Sequence, residues 1–335
     1  MKKFLIKKKY LNSLPEIKKK AKKKLFYKTW NWAECGSEHG NTLKANLDSF
    51  KNLKLIPRVM RYNSKSYAYN KFLGTTLKSP IIIAPMGHLT QFHKNGEAEV
   101  ALGAEKSSTV ATISSLSRIN LNEIRKYSKK STLIYQIYFF NDRKWIEGEI
   151  KKALKIKCSA IVVTVDATTQ SIKYITKDDK YDARKFGRRS NFNLNKRNVF
   201  NVNWKEISWI KKKIKNIPLI IKGIMHPEDA KLAFKYGANG IWVSNHGGRV
   251  FESNVGTIEV LEKIRKKIGK TKLIILDGGI RTGSDVVKAC SLGANLVAIG
   301  RPVIYGLVAN GSDGIANTFK LFEEEYNNSK ILSGY

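Results

Sequence analysis

The chain has 335 residues, 42% of them hydrophobic, and carries 62 Lys+Arg against 27 Asp+Glu, a formal net charge of +35. That apolar share is enough for one large core or two ordinary ones and excludes a globally disordered chain. No apolar run approaches the roughly 20 residues of a membrane-spanning helix. The three cysteines (Cys35, Cys158, Cys290) stand far apart without a CxxC pair, which excludes a disulfide scaffold and fits a reduced compartment.

The first nine residues are basic, but no sustained apolar stretch succeeds them, so no secretory signal is expected and the expected location is cytoplasmic. The charge excess is mostly lysine and is spread along the chain. Its one dense run, Lys18 to Lys24, reads as the solvated face of a helix. No zinc-finger spacing and no RNP-type aromatic motif accompany it, so no specific nucleic-acid partner is expected. Residues 1–75 read as an N-terminal helical and loop segment packed on the remainder of the chain.

From Pro80 onward, short β-branched runs alternate with stretches of helical period. The candidate strands are 81–84, 109–113, 133–137, 160–165, 218–222, 240–243, 272–276 and 295–299. Each is continuously apolar, as parallel strands buried on both faces must be. Amphipathic segments such as Glu97–Lys106, Lys144–Lys155, Pro227–Tyr236 and Ser284–Leu292 lie between them. Eight β–α repeats in about 250 residues have the rhythm of a TIM (β/α)8 barrel over 76–335. Periodicity alone leaves a doubly wound open sheet as the alternative. A polar, basic stretch without periodicity, 174–205 in its widest bounds, is predicted as a lid loop.

In a barrel of this kind the active site forms where the strands end. Pro85-Met86-Gly87 closes the first run and Ser114 the second, while Gln136 and Tyr138 lie on the third. Thr164-Val165-Asp166 closes the fourth and Lys222-Gly223 the fifth. Ser244-Asn245-His246-Gly247-Gly248-Arg249, Asp277-Gly278-Gly279-Ile280-Arg281 and Gly300-Arg301-Pro302 complete the ring. Polar or glycine residues at all eight ends offer donors, acceptors or close backbone approach, which chance ending of strands does not explain. The glycines of the seventh and eighth ends expose backbone amides where barrels commonly hold a phosphate, and Arg281 and Arg301 add charge-assisted bonds. Asp277 suits a polyol hydroxyl, so a ligand with both a phosphate and a sugar-alcohol chain fits. His246, among small residues and three positions before Arg249, is the candidate base, with Asp166 as its orienting carboxylate. His226 reads as a helix cap. The remaining histidines, His39, His88 and His93, lack ligand spacing, and no metal site is expected.

These motifs together resemble the FMN-dependent α-hydroxy acid oxidases and dehydrogenases, among them glycolate oxidase, lactate oxidase and mandelate dehydrogenase. The similarity runs from Gly36-Ser37-Glu38 through Pro57-Arg58, Ala84-Pro85, Tyr135-Gln136-Ile137-Tyr138 and Ile221-Lys222-Gly223 to Gly300-Arg301-Pro302, covering nearly the whole chain in order. The resemblance implies FMN at the barrel mouth. Its phosphate would meet Gly278, Gly279, Arg281, Gly300 and Arg301, and its ribityl chain Asp277. Its ring would meet Pro85, Met86, Gly87, Ser114, Gln136, Thr164, Lys222 and Ser244. It further implies that Arg249 and Tyr138 bind the substrate, that His246 removes its proton, and that the chain assembles as a homotetramer.

Two departures bear on the substrate. Trp32 stands where the family has a carboxylate-binding tyrosine, and Lys173 stands for a second arginine, keeping the charge but losing the bidentate fork. The expected activity is oxidation of an L-2-hydroxy acid such as lactate or glycolate, with oxygen or another molecule as electron acceptor. One alternative is a biosynthetic member acting on a larger or carrier-tethered hydroxy acid. A non-enzyme alternative, suggested by charge alone, is a basic nucleic-acid- or membrane-associated protein on a relict barrel.

Overall fold

The computed structural model describes residues 11–61, 70–140, 142–169, 171–178, 180–181 and 202–335. Three helices come first: α1 (Leu14–Lys24), α2 (Tyr27–Glu34) and α3 (Asn41–Asn52). Ser13 caps α1 by accepting from the Glu16 amide, and Leu14, Ile17 and Ala21 form its buried stripe. Lys19, Lys20, Lys22, Lys23 and Lys24 are exposed, as the charge pattern predicts.

A hairpin comes next, β1 (Asn70–Phe72) and β2 (Thr75–Leu77). Its turn residues Leu73 and Gly74 both have positive φ, 50° and 83°, the twist that a two-residue hairpin needs. Leu77 is buried among residues of the barrel interior, and Phe72 and Leu73 pack on the same cluster. The hairpin therefore stops the bottom of the barrel, and a boundary at residue 75 cuts through it. Burial of Leu77 joins the hairpin to the barrel side.

Eight parallel strands close in the order β10-β3-β4-β5-β6-β7-β8-β9. They are β3 (Ile81–Met86), β4 (Val110–Ser114), β5 (Thr132–Tyr138), β6 (Ala160–Thr164), β7 (Leu219–Ile224), β8 (Gly240–Val243), β9 (Leu273–Leu276) and β10 (Leu296–Ile299). Closure removes the open-sheet alternative and agrees with all eight strands read from the sequence. The intervening helices are α4 (Gly96–Lys106), α5 (Leu121–Tyr127), α6 (Arg143–Lys155), α7 (Tyr174–Asp178), α8 (Trp204–Ile214), α9 (Pro227–Lys235), α10 (Thr257–Ile268) and α11 (Gly283–Ser291). The last helix, α12 (Arg301–Ser333), is broken at Asn310–Gly311. The proposed lid stretch is not wholly irregular, since α7 and the start of α8 lie inside 174–205; residues 182–201 fall outside the described part.

Side chains alternate along each strand, so one parity fills the barrel and the other meets the helices. Ile82, Val110, Ile134, Val162, Ile220, Trp242, Ile275 and Ala298 form the inner plug. Their neighbours, such as Ile83, Ala111, Tyr135, Val163, Ile221 and Leu276, pack outward in the larger core. Two or four residues further on, the inward parity reaches Ser114, Gln136, Thr164, Lys222, Ser244, Asp277 and Gly300. The plug thus becomes the floor of a polar site without any change of strand geometry.

Candidate active site

A cavity of about 790 Å³ opens at the carboxyl ends of the strands. Its wall carries Trp32, Pro85, Met86, Gly87, Tyr138, Lys173, Lys222, His246, Arg249, Asp277, Gly278, Gly279, Arg281, Gly300 and Arg301, all singled out from the sequence. Ser114, Gln136, Thr164, Asp166 and Ser244 are not on the wall itself; they stand among its supports.

The supports explain the floor. Lys222 is buried and its Nζ donates to Ser244 Oγ at 2.7 Å, with Asp277 Oδ2 3.4 Å away. The same Ser244 Oγ accepts from the His246 amide at 3.1 Å. The Ser114 hydroxyl donates to Gln136 Oε1 at 2.7 Å, which fixes the amide and leaves Gln136 Nε2 without a partner among the described residues. Thr164 Oγ1 and Asp277 Oδ1 are also buried and unpartnered there. Buried polar atoms cost free energy unless a ligand or water satisfies them. A donor amide, a hydroxyl and a carboxylate oxygen beside a buried lysine suit the carbonyls, ring nitrogens and polyol hydroxyls of a flavin mononucleotide.

His246 and Asp166 form the candidate base pair. His246 Nδ1 lies 2.9 Å from Asp166 Oδ1, and its Nε2 lies 3.4 Å from the Tyr138 hydroxyl. Burial alone would raise the Asp166 carboxyl, but the charges of His246 and Lys222 and the hydrogen bond from His246 outweigh it and hold the group below its usual value. Asp166 therefore stays ionised and orients the imidazole through Nδ1. Gly223 is forced by this arrangement: at φ 109°, a Cβ there would sit 2.6 Å from Asp166 Cβ.

The arginines gather at the carboxyl end of α2. Arg249 Nη1 donates to the carbonyls of Trp32, Ala33 and Cys35 at 3.0, 3.3 and 3.1 Å, and its guanidinium stacks 4.6 Å from the Trp32 ring centroid. Arg301 donates to Ala33, Gly247 and Cys35 carbonyls at 3.1, 3.0 and 2.9 Å. Cations at a helix carboxyl end face the negative end of its dipole. Burial, reinforced by the Arg249 and Arg281 charges, brings the Arg301 guanidinium down to about 10. Three half-buried arginines, Arg249, Arg281 and Arg301, thus line the wall with positive charge suited to anionic groups. Glycines at 278 and 279, with φ 91° and 89°, bring the backbone close: a Cβ on Gly279 would meet the Asn46 carbonyl oxygen at 2.3 Å.

The rest of the Ser-Asn-His-Gly-Gly-Arg motif is architectural. Asn245 and Asn46 exchange side-chain hydrogen bonds at 2.9 Å each way, locking the loop to α3. Glu252, two residues beyond the loop's Val250, accepts from the amides of His39, Gly40 and Asn41 at the start of α3. His226 caps α9 as expected, accepting from the Glu228 amide at 3.2 Å. Lys173 lines the cavity, and its ammonium donates to the Ser171 hydroxyl and to the Arg249 carbonyl oxygen. The wall also holds residues that motif reasoning passed over: His88, Leu116, Phe140, Lys177, Lys180 and Tyr181. Phe140 carried a signal, because it lies two residues beyond Tyr138 and stacks on it with centroids 4.8 Å apart.

The family model for FMN-dependent dehydrogenases matches residues 21–335. A 2-hydroxyacid oxidase of Dictyostelium discoideum is 35% identical over 338 residues, covering 96% of this chain and 86% of that protein. A peroxisomal (S)-2-hydroxyacid oxidase of Arabidopsis thaliana is 33% identical, with 97% of this chain and 92% of the relative covered. A crystal structure of mandelate oxidase with benzoyl-formic acid superposes with a TM-score of 0.90 at 30% identity, covering 97% of this chain and 95% of that one. With the residues of its barrel mouth suited to the flavin, the chain belongs to the FMN-dependent dehydrogenase family, a family of oxidoreductases, and FMN is its cofactor.

Proposed function

We propose that the protein oxidises an L-2-hydroxy acid to the 2-oxo acid. The observation that carries this reading is that His246, held by Asp166 behind it, shares the cavity wall with Arg249. Arg249 binds the substrate carboxylate: its Nη1 is held by the α2 carbonyls, so its remaining N–H groups are presented in a fixed plane. Tyr138 hydrogen-bonds the carboxylate or the hydroxyl. His246 takes the proton at Nε2, and Asp166 stabilises the imidazolium through Nδ1. FMN, when bound, accepts the two electrons that leave the substrate carbon. Arg281, Arg301, Gly278, Gly279 and Gly300 would hold its phosphate, and Asp277 its ribityl chain. Gln136, Thr164 and Ser244 would meet its ring. Lys222 would set a buried cation against the charge that builds up on the ring as it is reduced.

The names of the relatives favour molecular oxygen as the acceptor. A second reading, a larger or carrier-tethered hydroxy acid, is supported by Trp32 and Lys173 on the cavity wall. The test is anaerobic visible absorbance of the yellow protein titrated with glycolate, L-lactate and L-mandelate. Bleaching by one of them supports the first reading, and recolouring on admission of air supports oxygen. A yellow protein that none of the three bleaches moves the substrate to the larger class. A protein that binds no flavin sinks both.

A further inference from the structure

We propose that the substrate carries a second anionic group, a carboxylate or a phosphate, at the far end of a short carbon chain, and that Lys177 and Lys180 receive it at the cavity mouth. The inference rests on the 2-hydroxy acid reading and names the substrate class within it.

The described wall of the cavity holds one carboxylate, Asp277, against an excess of cations. Most of these have a task inside the site already. Lys222 faces Asp277, Arg281 and Arg301 serve the phosphate end, and Arg249 takes the hydroxy-acid carboxylate. Lys173 is engaged by the Ser171 hydroxyl and the Arg249 carbonyl oxygen. Lys177 and Lys180 remain. Neither makes an ion pair among the described residues; the Lys177 ammonium lies 5.8 Å over the Tyr174 ring, and of the two aspartates between them in sequence Asp178 does not line the cavity and Asp179 is outside the described residues.

Both side chains are exposed, on a backbone that is tied down. The Lys180 amide donates to the Lys177 carbonyl at 2.9 Å, which continues the turn of α7 and keeps both on the same rim. The next residue, Tyr181, is buried; its hydroxyl donates to Gln91 Oε1 at 2.7 Å and lies 3.2 Å from Thr29 Oγ1. The rim is thereby pinned to the barrel and to α2. Ile172, Val250, Leu116 and Phe140 share the wall and offer apolar surface to a carbon linker. A monoanionic acid such as lactate would use none of this.

The holoenzyme tests the proposal with three matched acids: L-2-hydroxypentanoate, L-2-hydroxyglutarate and L-2-hydroxy-4-phosphonobutanoate. At low salt, kcat/KM for at least one acid with an anionic end should exceed that for 2-hydroxypentanoate about tenfold, and the excess should shrink in 0.5 M salt as screening sets in. Whichever anionic end gains more identifies the group. Lys177→Ala combined with Lys180→Ala should bring the ratio close to one while changing 2-hydroxypentanoate less than twofold. Binding of 2-oxoglutarate against 2-oxopentanoate, read from flavin absorbance, gives the same comparison without turnover. If no hydroxy acid reduces the flavin, the oxidation reading fails and this binding comparison still decides the role of the lysines. Equal affinity for both oxo acids, or a preference that survives the double substitution, overturns the proposal. A double variant slowed only in flavin reoxidation also overturns it, by assigning the lysines to an acidic acceptor.

Discussion

His246 has φ 59°, a left-handed backbone that a residue with a Cβ adopts at a cost of about 1–2 kcal/mol. The surroundings over-determine it: its amide is held by Ser244, its ring by Asp166, and Gly247 and Gly248 let the chain turn away. Asp166→Asn keeps the shape and removes the charge, so flavin reduction should slow by about 10²- to 10⁴-fold with FMN retained; rapid-mixing absorbance checks both. The same substitution has a pH signature. Because the folded carboxyl lies below its unfolded value, its contribution to stability is present above the unfolded value and lost as pH falls through the folded one. Asp166→Asn should therefore flatten the acid limb of the unfolding curve. Arg249→Lys should raise KM much more than it lowers kcat, since the charge stays while the planar fork and the stacking on Trp32 go; steady-state kinetics separate the two. These residues were legible in the sequence because each stands at a strand end beside glycine or another polar group. His88, Leu116 and Lys180 were not, because no local pattern distinguishes a loop side chain that faces a cavity from one that faces solvent.

Among the elements, the eight strands were readable because continuous β-branched runs have one physical meaning when helices separate them. The role of α2 was not readable. Its function is exercised by the carbonyls of Trp32, Ala33 and Cys35, and backbone acceptors leave no trace in side-chain type. The hairpin of β1 and β2 escaped the sequence reading for a similar reason, since three-residue strands are too short to show a period. Helix α4 carries a further device: buried Glu97 accepts from the Leu89 amide at 3.1 Å, anchoring the loop beyond β3. Burial pushes its carboxyl up from 4.5 to about 7. The unfolded chain releases that proton earlier, so stability should fall as pH rises through this window, by about 3 kcal/mol in all. Glu97→Gln should remove the decline, as urea unfolding at pH 5 and pH 8 would show. An equal decline in the variant would place its origin elsewhere.

For the whole molecule, charge was the least informative property. A net +35 suggested a polyanion partner, yet it coexists with a closed eight-stranded barrel and an FMN cofactor, and family membership displaces the relict-barrel reading. If FMN binds the folded chain and not the unfolded one, its removal should lower stability by about 2.7 kcal/mol relative to protein at 100 times its Kd. Thermal unfolding of apo and reconstituted protein measures this, and an unchanged Tm would show that the cavity does not hold the flavin. Central to the proposed activity is proton removal by His246 while bound FMN takes the electrons. The most direct test is single-turnover anaerobic flavin reduction by the best hydroxy acid in wild type and His246→Ala, with bound FMN quantified in both. Equal flavin content is expected, with reduction slowed at least about 10²-fold in the variant. Reduction at the wild-type rate, or a variant that loses its flavin, would contradict this role for His246.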